Sequence, residues 1–357
     1  ISISMIQGKR LKIYFQYYLC CQPESGGVEI NMKNRVCDVL GIKYPVIQGP
    51  MAWASTAPLV AAVSNAGGLG VLGVGFAPAD FIRFQVKQTM ELTDKPFAMN
   101  LCIEHQNKIL DEVSELAMEL NVPVIYADTV VNLDEELCRK YFSVWKEHGI
   151  KIIVKASILQ DAIIARRAGA DIIVVKGWEA GGHVSYESTM VITPLTVDTL
   201  DCPVIASGGI CDGRTAAAAF ALGAEGLEIG SAFLMTEECD VHPNVKTAII
   251  NAGDMDTVVT GSPTDEPCRQ LKNPFSDKVM EIEYSMPKKE AAPILRELCA
   301  SSLKKAMAGG DMVEGAVMVG QNASRLNEVK KAETLMREII QECLETAMIL
   351  PEKINWN

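Results

Sequence analysis

From Lys43 onward, short apolar runs alternate with longer stretches whose apolar residues recur at helical spacing. The runs predict strands near 46–48, 69–71, 97–101, 122–126, 152–155, 172–175, 204–206 and 227–229. The stretches between them predict helices at 58–65, 79–91, 108–120, 134–148, 159–168 and 214–222. Several of these stop at a glycine, as at Ala66-Gly67-Gly68, His148-Gly149, Ala168-Gly169 and Leu222-Gly223, where the chain must turn left-handed. Strands separated by helices pair in parallel, because each crossover returns the chain in the same direction. Eight such strands favour a closed (β/α)8 barrel of the TIM type over an open doubly wound sheet. The runs are apolar throughout rather than alternating, as strands covered on both faces require.

Residues 239–310 break this rhythm. They carry Pro243, Pro263, Pro267, Pro274 and Pro287 among many charges, with one or two helices. They read as a smaller region inserted after the eighth strand, placed to cap the mouth of a barrel spanning 32–238. The remainder, 311–357, holds an amphipathic helix at 324–347 expected to pack on the barrel or on a partner. Residues 1–31 have no clear period and read as an N-terminal extension. Met32 is the expected natural start. The preceding Gly26-Gly27-Val28-Glu29-Ile30-Asn31 is what a purine-rich ribosome-binding site and spacer would encode, so 1–31 are expected to be translated leader; a short helical arm is the alternative.

Composition narrows the class of function. Hydrophobic residues make up 48% of the 357 and aromatics only 6%, against 27 glycines, so small and aliphatic side chains must fill the core. A net charge of -12 without a basic cluster argues against nucleic acid as a partner. No run approaches the roughly 18 apolar residues of a membrane span, so no membrane partner is expected. The 11 cysteines are an odd number without a C-x-x-C, which reads as reduced thiols in a cytoplasmic protein. Most are expected to be core filler. Only Cys268, in Pro267-Cys268-Arg269, has a polar setting. No metal site is read from the sequence.

Barrel enzymes place their chemistry at the carboxyl ends of the strands. The first strand is followed by Gly49-Pro50-Met51-Ala52-Trp53, whose small residues let a planar ring approach, or which simply make a tight turn. Asn100 ends the third strand, where its amide suits a heterocycle edge or a phosphate, or closes a turn. Lys155 ends the fifth, and its ammonium reaches an anion in the mouth or snorkels to solvent. The sixth leads into Lys176-Gly177-Trp178-Glu179-Ala180-Gly181-Gly182-His183. Here a glycine pair admits a ligand to the backbone and a histidine follows at once. The other three histidines, His105, His148 and His242, lie in a loop, at a helix end and before a proline. Ser207-Gly208-Gly209 follows the seventh strand and Gly230-Ser231 the eighth. Two consecutive glycine turns opening helices form a phosphate cradle that needs no basic side chain. Gly68-Leu69-Gly70-Val71-Leu72-Gly73 matches the dinucleotide fingerprint only in letters, since a helix precedes it and a strand runs through it.

Taken together, Pro45-Val46-Ile47-Gln48-Gly49-Pro50-Met51-Ala52, Asn100, Glu179-Ala180-Gly181-Gly182-His183, Ser207-Gly208-Gly209-Ile210 and Gly230-Ser231 resemble the nitronate monooxygenase (2-nitropropane dioxygenase-like) family. That family includes the FMN-dependent enoyl-acyl-carrier-protein reductase II. The resemblance covers about 32–275, with a weaker echo at Met318-Val319-Gly320-Gln321. It implies an FMN flavoprotein with His183 catalytic. It assigns FMN to Gly49, Pro50, Met51, Ala52, Asn100, Lys155, Lys176, Gly181, Gly182, Ser207, Gly208, Gly209, Gly230, Ser231 and Gln321. Trp53, Lys176 and the run from Val184 to Met190 depart from the family pattern; that run lacks the Arg-Gly common in the monooxygenases and leans toward the reductases.

The leading expectation is a nitronate monooxygenase oxidising alkyl nitronates with O2. The alternative is an enoyl-acyl-carrier-protein reductase, with NAD(P)H as reductant, an enoyl thioester as substrate and acyl carrier protein as partner. A non-catalytic phosphate-ligand-binding barrel is the third reading. A homodimer is also among the expectations.

Overall fold

The computed structural model describes residues 34–130 and 132–355. The reading of 1–31 lies outside the described residues. Eight parallel strands close on themselves: β1 (Val46–Gln48), β2 (Leu69–Leu72), β3 (Phe97–Cys102), β4 (Val124–Asp128), β5 (Lys151–Ala156), β6 (Ile172–Lys176), β8 (Val204–Ser207) and β9 (Gly226–Ile229). β1 closes the ring, pairing with β2 on one side and β9 on the other. Helices follow the strands around the outside, including Ala57–Asn65, Ala79–Leu92, Leu110–Glu119, Glu135–Glu147, Leu159–Ala168 and Gly213–Ala221. Every strand and helix named from the periodicity is present to within a few residues at its ends, apart from the tail.

Successive side chains of a strand point to opposite faces, and the two faces bury separate cores. Inside the barrel, Ile47, Val71, Ala98, Val124, Tyr126, Ile153, Val174 and Ile205 are part of one cluster. Outward residues such as Ile125, Ile152, Val154, Ile173 and Val175 pack beneath the helices in another. Extending the inward parity toward the strand ends brings Asn100, Asp128, Lys155, Lys176, Ser207 and Glu228 to the mouth. The barrel is therefore apolar at its waist and polar at its top. Helix boundaries have local causes: Asp212 and Thr215 form a capping box before Gly213–Ala221, and Gly169 ends Leu159–Ala168 at φ 115°, open to glycine at little cost.

β7 (Gly182–His183) stands outside the barrel, in a three-stranded antiparallel sheet with β10 (Thr257–Thr260) and β11 (Cys268–Leu271). The segment after the barrel thus supplies two strands, and also the helices Pro243–Ile250, Pro274–Ser285, Lys288–Cys299 and Ser302–Met307.

The tail corrects the sequence reading. A helix was expected at 324–347, but the observed one is Ala332–Lys353. Gln321–Arg325 instead form a 3-10 turn. The helix start is fixed by tertiary contacts: Lys330 N–H donates to Met235 O, and the Glu238 carboxylate accepts from Ala332 N at 3.0 Å. Ala332, Leu335, Met336, Ile339, Ile340 and Cys343 are buried, and the helix packs against Gly213–Ala221 and Ala57–Asn65. Among the described residues, no helix is long and apolar enough to cross a membrane.

Candidate active site

The mouth is organised by a few paired polar groups. Asn100 is buried and largely committed within the protein, its Oδ1 accepting from Gly75 N at 3.1 Å and its Nδ2 donating to Tyr126 O at 3.2 Å. It ties the loop after β2 to β4. Gln48 does the same for the first turn, donating to Ser55 Oγ at 2.7 Å and to the Gly49 carbonyl while accepting from Val71 N. Ser55 Oγ also accepts from Met51 N at 3.0 Å, which sets the path of Gly49 to Met51. Met51 and Pro50 are partly buried, whereas Ala52 and Trp53 are exposed and Lys304 lies over the Trp53 ring.

Lys155 does not snorkel. Its Nζ donates to Asp128 Oδ2 at 3.0 Å, with both side chains largely covered. Burial disfavours the ammonium, but Asp128 outweighs it and holds the lysine above its ordinary value. Lys176 is different: its Nζ donates to the Gly181 carbonyl at 3.0 Å, a neutral acceptor. Burial, and then the charge on Lys155, pull it down to about 8. Beside them, Glu228 receives the hydroxyls of Tyr126 and Ser207, the latter at 2.7 Å.

The segment after β6 is anchored at many points. The Trp178 carbonyl accepts from Arg269, whose buried guanidinium also lies 5.2 Å from the Trp178 ring centre. The Glu179 carboxylate accepts from Thr189 N and Oγ1 at 3.0 and 2.9 Å. It thereby caps the helix Thr189–Thr199, whose own N-cap, Ser188, makes no side-chain bond. Gly182 and His183 pair with Arg269 and Cys268, Val184 N donates to Pro267 O at 3.0 Å, and Ser185 Oγ donates to Ser157 O at 2.6 Å. His183 is thus held beside Lys155 and Lys176. Burial, followed by these two lysines, pulls its imidazole down to about 4, so it is neutral at physiological pH. The other histidines serve the framework: His148 Nδ1 lies 2.9 Å from Val144 O, His242 caps a helix through Asn244 N, and His105 faces Asp134 in an exposed loop.

The two glycine turns offer a cradle. Gly208 and Gly209 have φ of 111° and 72°, and their N–H groups, with those of Gly230 and Ser231, donate to no acceptor among the described residues. A Cβ on Gly230 would meet only Met51 Sδ, at 3.8 Å, and one on Gly182 nothing within 4 Å. Unpaired amides at the ends of β8 and β9, with open space beside Gly230, fit the phosphate of a flavin mononucleotide, without a basic side chain. Gly181 is needed for packing: its Cβ would fall 2.6 Å from the Val319 carbonyl carbon. Gln321 is exposed, and its backbone N–H donates to Glu179 O at 2.9 Å.

Glu228, Asp128 and Tyr126 are in or against this site but were not singled out from the sequence, and Gln48, Glu179 and Arg269 entered it only as members of longer motifs without a role of their own. Asp128 and Glu228, like Lys155, are charges at or near the ends of apolar strands. The Arg269 contact had no local signal. Cys268, flagged for its setting, is the partner of His183 in the sheet, and burial pushes its thiol up to about 12.

The family model described as nitronate monooxygenase matches residues 33–342. A probable nitronate monooxygenase of Staphylococcus aureus (strain JH9) is 32% identical over 348 residues, 87% of this chain and 97% of that protein. Among solved structures, FabK from Thermotoga maritima is 38% identical with a TM-score of 0.84, covering 91% of this chain and 100% of that one. Nitroalkane oxidase from Streptomyces ansochromogenes is 26% identical with a TM-score of 0.76, covering 88% and 99%.

Proposed function

The chain belongs to the nitronate monooxygenase family and is an FMN-dependent oxidoreductase; from that premise we propose that it oxidises alkyl nitronates with dioxygen in the cytoplasm. The observation that carries this reading is the placement of a neutral histidine, His183, beside two lysines at the mouth of a barrel whose last two strands end in unpaired amides. FMN, when bound, supplies the electron-transfer chemistry toward both substrate and oxygen. Ser207, Gly208, Gly209, Gly230 and Ser231 would hold its phosphate. Gly49, Pro50, Met51, Ala52 and Asn100 would flank the ring, Lys155 would meet its polar edge with Lys176 beside it facing the substrate, and Gly181, Gly182 and Gln321 would close over it. His183 would orient the nitronate group and exchange a proton through its imidazole. Residues 239–310 act as the cap, since they provide the strand on which β7 is built.

A second reading is favoured by the 38% identity to FabK and by the exposed apolar Tyr186 and Met190 after His183. It is NAD(P)H-dependent reduction of an enoyl thioester carried by acyl carrier protein. An anaerobic visible spectrum separates the two. Bleaching of bound FMN by propyl nitronate but not by NADH or NADPH supports the first. Bleaching by a nicotinamide nucleotide, with reoxidation by an enoyl thioester, overturns it in favour of the second. A protein that takes up no FMN removes both.

A further inference from the structure

The barrel mouth holds two lysines, and among the described residues only one of them is bonded to a carboxylate. Lys155 is paired with Asp128. Lys176, on the next strand, gives one N–H to the Gly181 carbonyl. An ammonium carries three donors, so among the described residues two remain for a ligand. Covering a cation against a single neutral oxygen is costly, and an anion entering the mouth removes that cost. The groups facing Lys176 come from every side. Lys155 on β5 opposes its charge, while Glu228 on β9, Cys268 on β11 and Asp128 on β4 favour it; His183 on β7 is neutral. Glu228 and Asp128 are already engaged, with Tyr126, Ser207 and Lys155.

We propose that Lys176 is the residue by which this enzyme selects an anionic substrate, its spare donors taking the two oxygens of a nitronate head group. This rests on the nitronate reading above and names the side chain that enforces it. A neutral enoyl thioester gains little from the charge. Because Lys176 loses its proton at about 8, recognition of the anion weakens through that pH, well separated from the titration of His183.

Nitrate is a suitable probe: it is planar, singly charged and carries no carbon to oxidise. The FMN-loaded enzyme is titrated with sodium nitrate at constant ionic strength, and binding is read from the flavin difference spectrum. The titration is run at about pH 6.5 and about pH 9.5, on either side of the lysine. The wild type is expected to bind about tenfold more weakly at the higher pH. Lys176→Gln should bind about tenfold more weakly than wild type at the lower pH, with no further loss at the higher. Lys176→Arg, which stays charged, should bind at both. Wild-type affinity in Lys176→Gln, or an unchanged pH dependence in it, overturns the inference, as does absence of nitrate binding to both the wild type and Lys176→Arg. Charge-dependent nitrate binding without nitronate turnover upholds the assignment of Lys176 while overturning the proposed reaction.

Discussion

His183 stands opposite Cys268 in the antiparallel pairing of β7 with β11, so the histidine is carried by a sheet outside the barrel and delivered to the mouth from it. The pairing fixes the backbone on which the imidazole sits, and the cover it brings sets the ionisation.

Burial, with Lys155 and Lys176 next, brings His183 to about 4, against about 6.5 for a free imidazole. In the FMN-free protein, its ring proton resonance should titrate near about 4. A folded pKa below the unfolded one means that the native state binds fewer protons in between. The contribution to stability is complete above about pH 6.5 and lost as the pH falls toward about 4. Denaturant titrations across that window should show a steeper loss for wild type than for His183→Asn; equal slopes count against a buried neutral ring.

Replacing the same histidine tests its chemistry. His183→Ala should lower turnover of propyl nitronate by about 10²- to 10⁴-fold while leaving FMN bound at unit stoichiometry, since the cradle lies on β8 and β9. Steady-state rates are read beside the flavin absorbance. Wild-type kcat in this variant would take the imidazole out of the mechanism.

The pair on β4 and β5 gives a stability prediction. Asp128→Asn leaves the Lys155 ammonium covered without its carboxylate, and should cost about 2 kcal/mol, less than the 3–5 of a fully buried pair. Adding Lys155→Met should restore much of the loss. Urea midpoints of the single and double variants decide it: a double variant less stable than Asp128→Asn would mean that the ammonium has another partner.

The barrel was legible because its strands are apolar runs at regular spacing and its helices end at glycines such as Gly149 and Gly169, both left-handed in the fold. Those signals are local. The helix Thr189–Thr199 gave none: it is rich in β-branched residues, contains Pro194, and buries Thr193 and Thr196 while exposing Met190 and Leu195. β7 is only two residues long, too short for any period. Lys155 stood out for its cost inside an apolar strand, which left both an anion in the mouth and solvent open; its partner was not legible, because Asp128 lies on another strand. The start of the tail helix was misplaced for the same reason, since Glu238 fixes it from a distance.

The proposed phosphate cradle depends on a backbone that only glycine adopts readily. Gly208 has φ 111°, and a Cβ there would come 2.8 Å from Thr189 Oγ1. Gly208→Ala should cost about 1–2 kcal/mol of stability from the backbone alone and weaken FMN binding disproportionately. Comparing the Kd of FMN with the urea midpoint tests this. Unchanged FMN affinity in a destabilised variant would remove Gly208 from the cofactor site.

Arg269 holds the loop that precedes the histidine. Its Nε and Nη2 donate to the Trp178 carbonyl at 3.3 and 3.1 Å, and Nη1 donates to Thr257 Oγ1 at 3.2 Å. One planar group therefore joins β11, β10 and the segment after β6. A lysine ends in a single ammonium and cannot span both acceptors while stacking on the ring. Arg269→Lys should cost about 1–3 kcal/mol, concentrated in that segment. Backbone hydrogen exchange should rise across 177–183 while β8 stays protected, and the KM for nitronate should rise more than kcat falls. A uniform rise in exchange across the barrel would mean that Arg269 supports the fold as a whole and not the placement of His183.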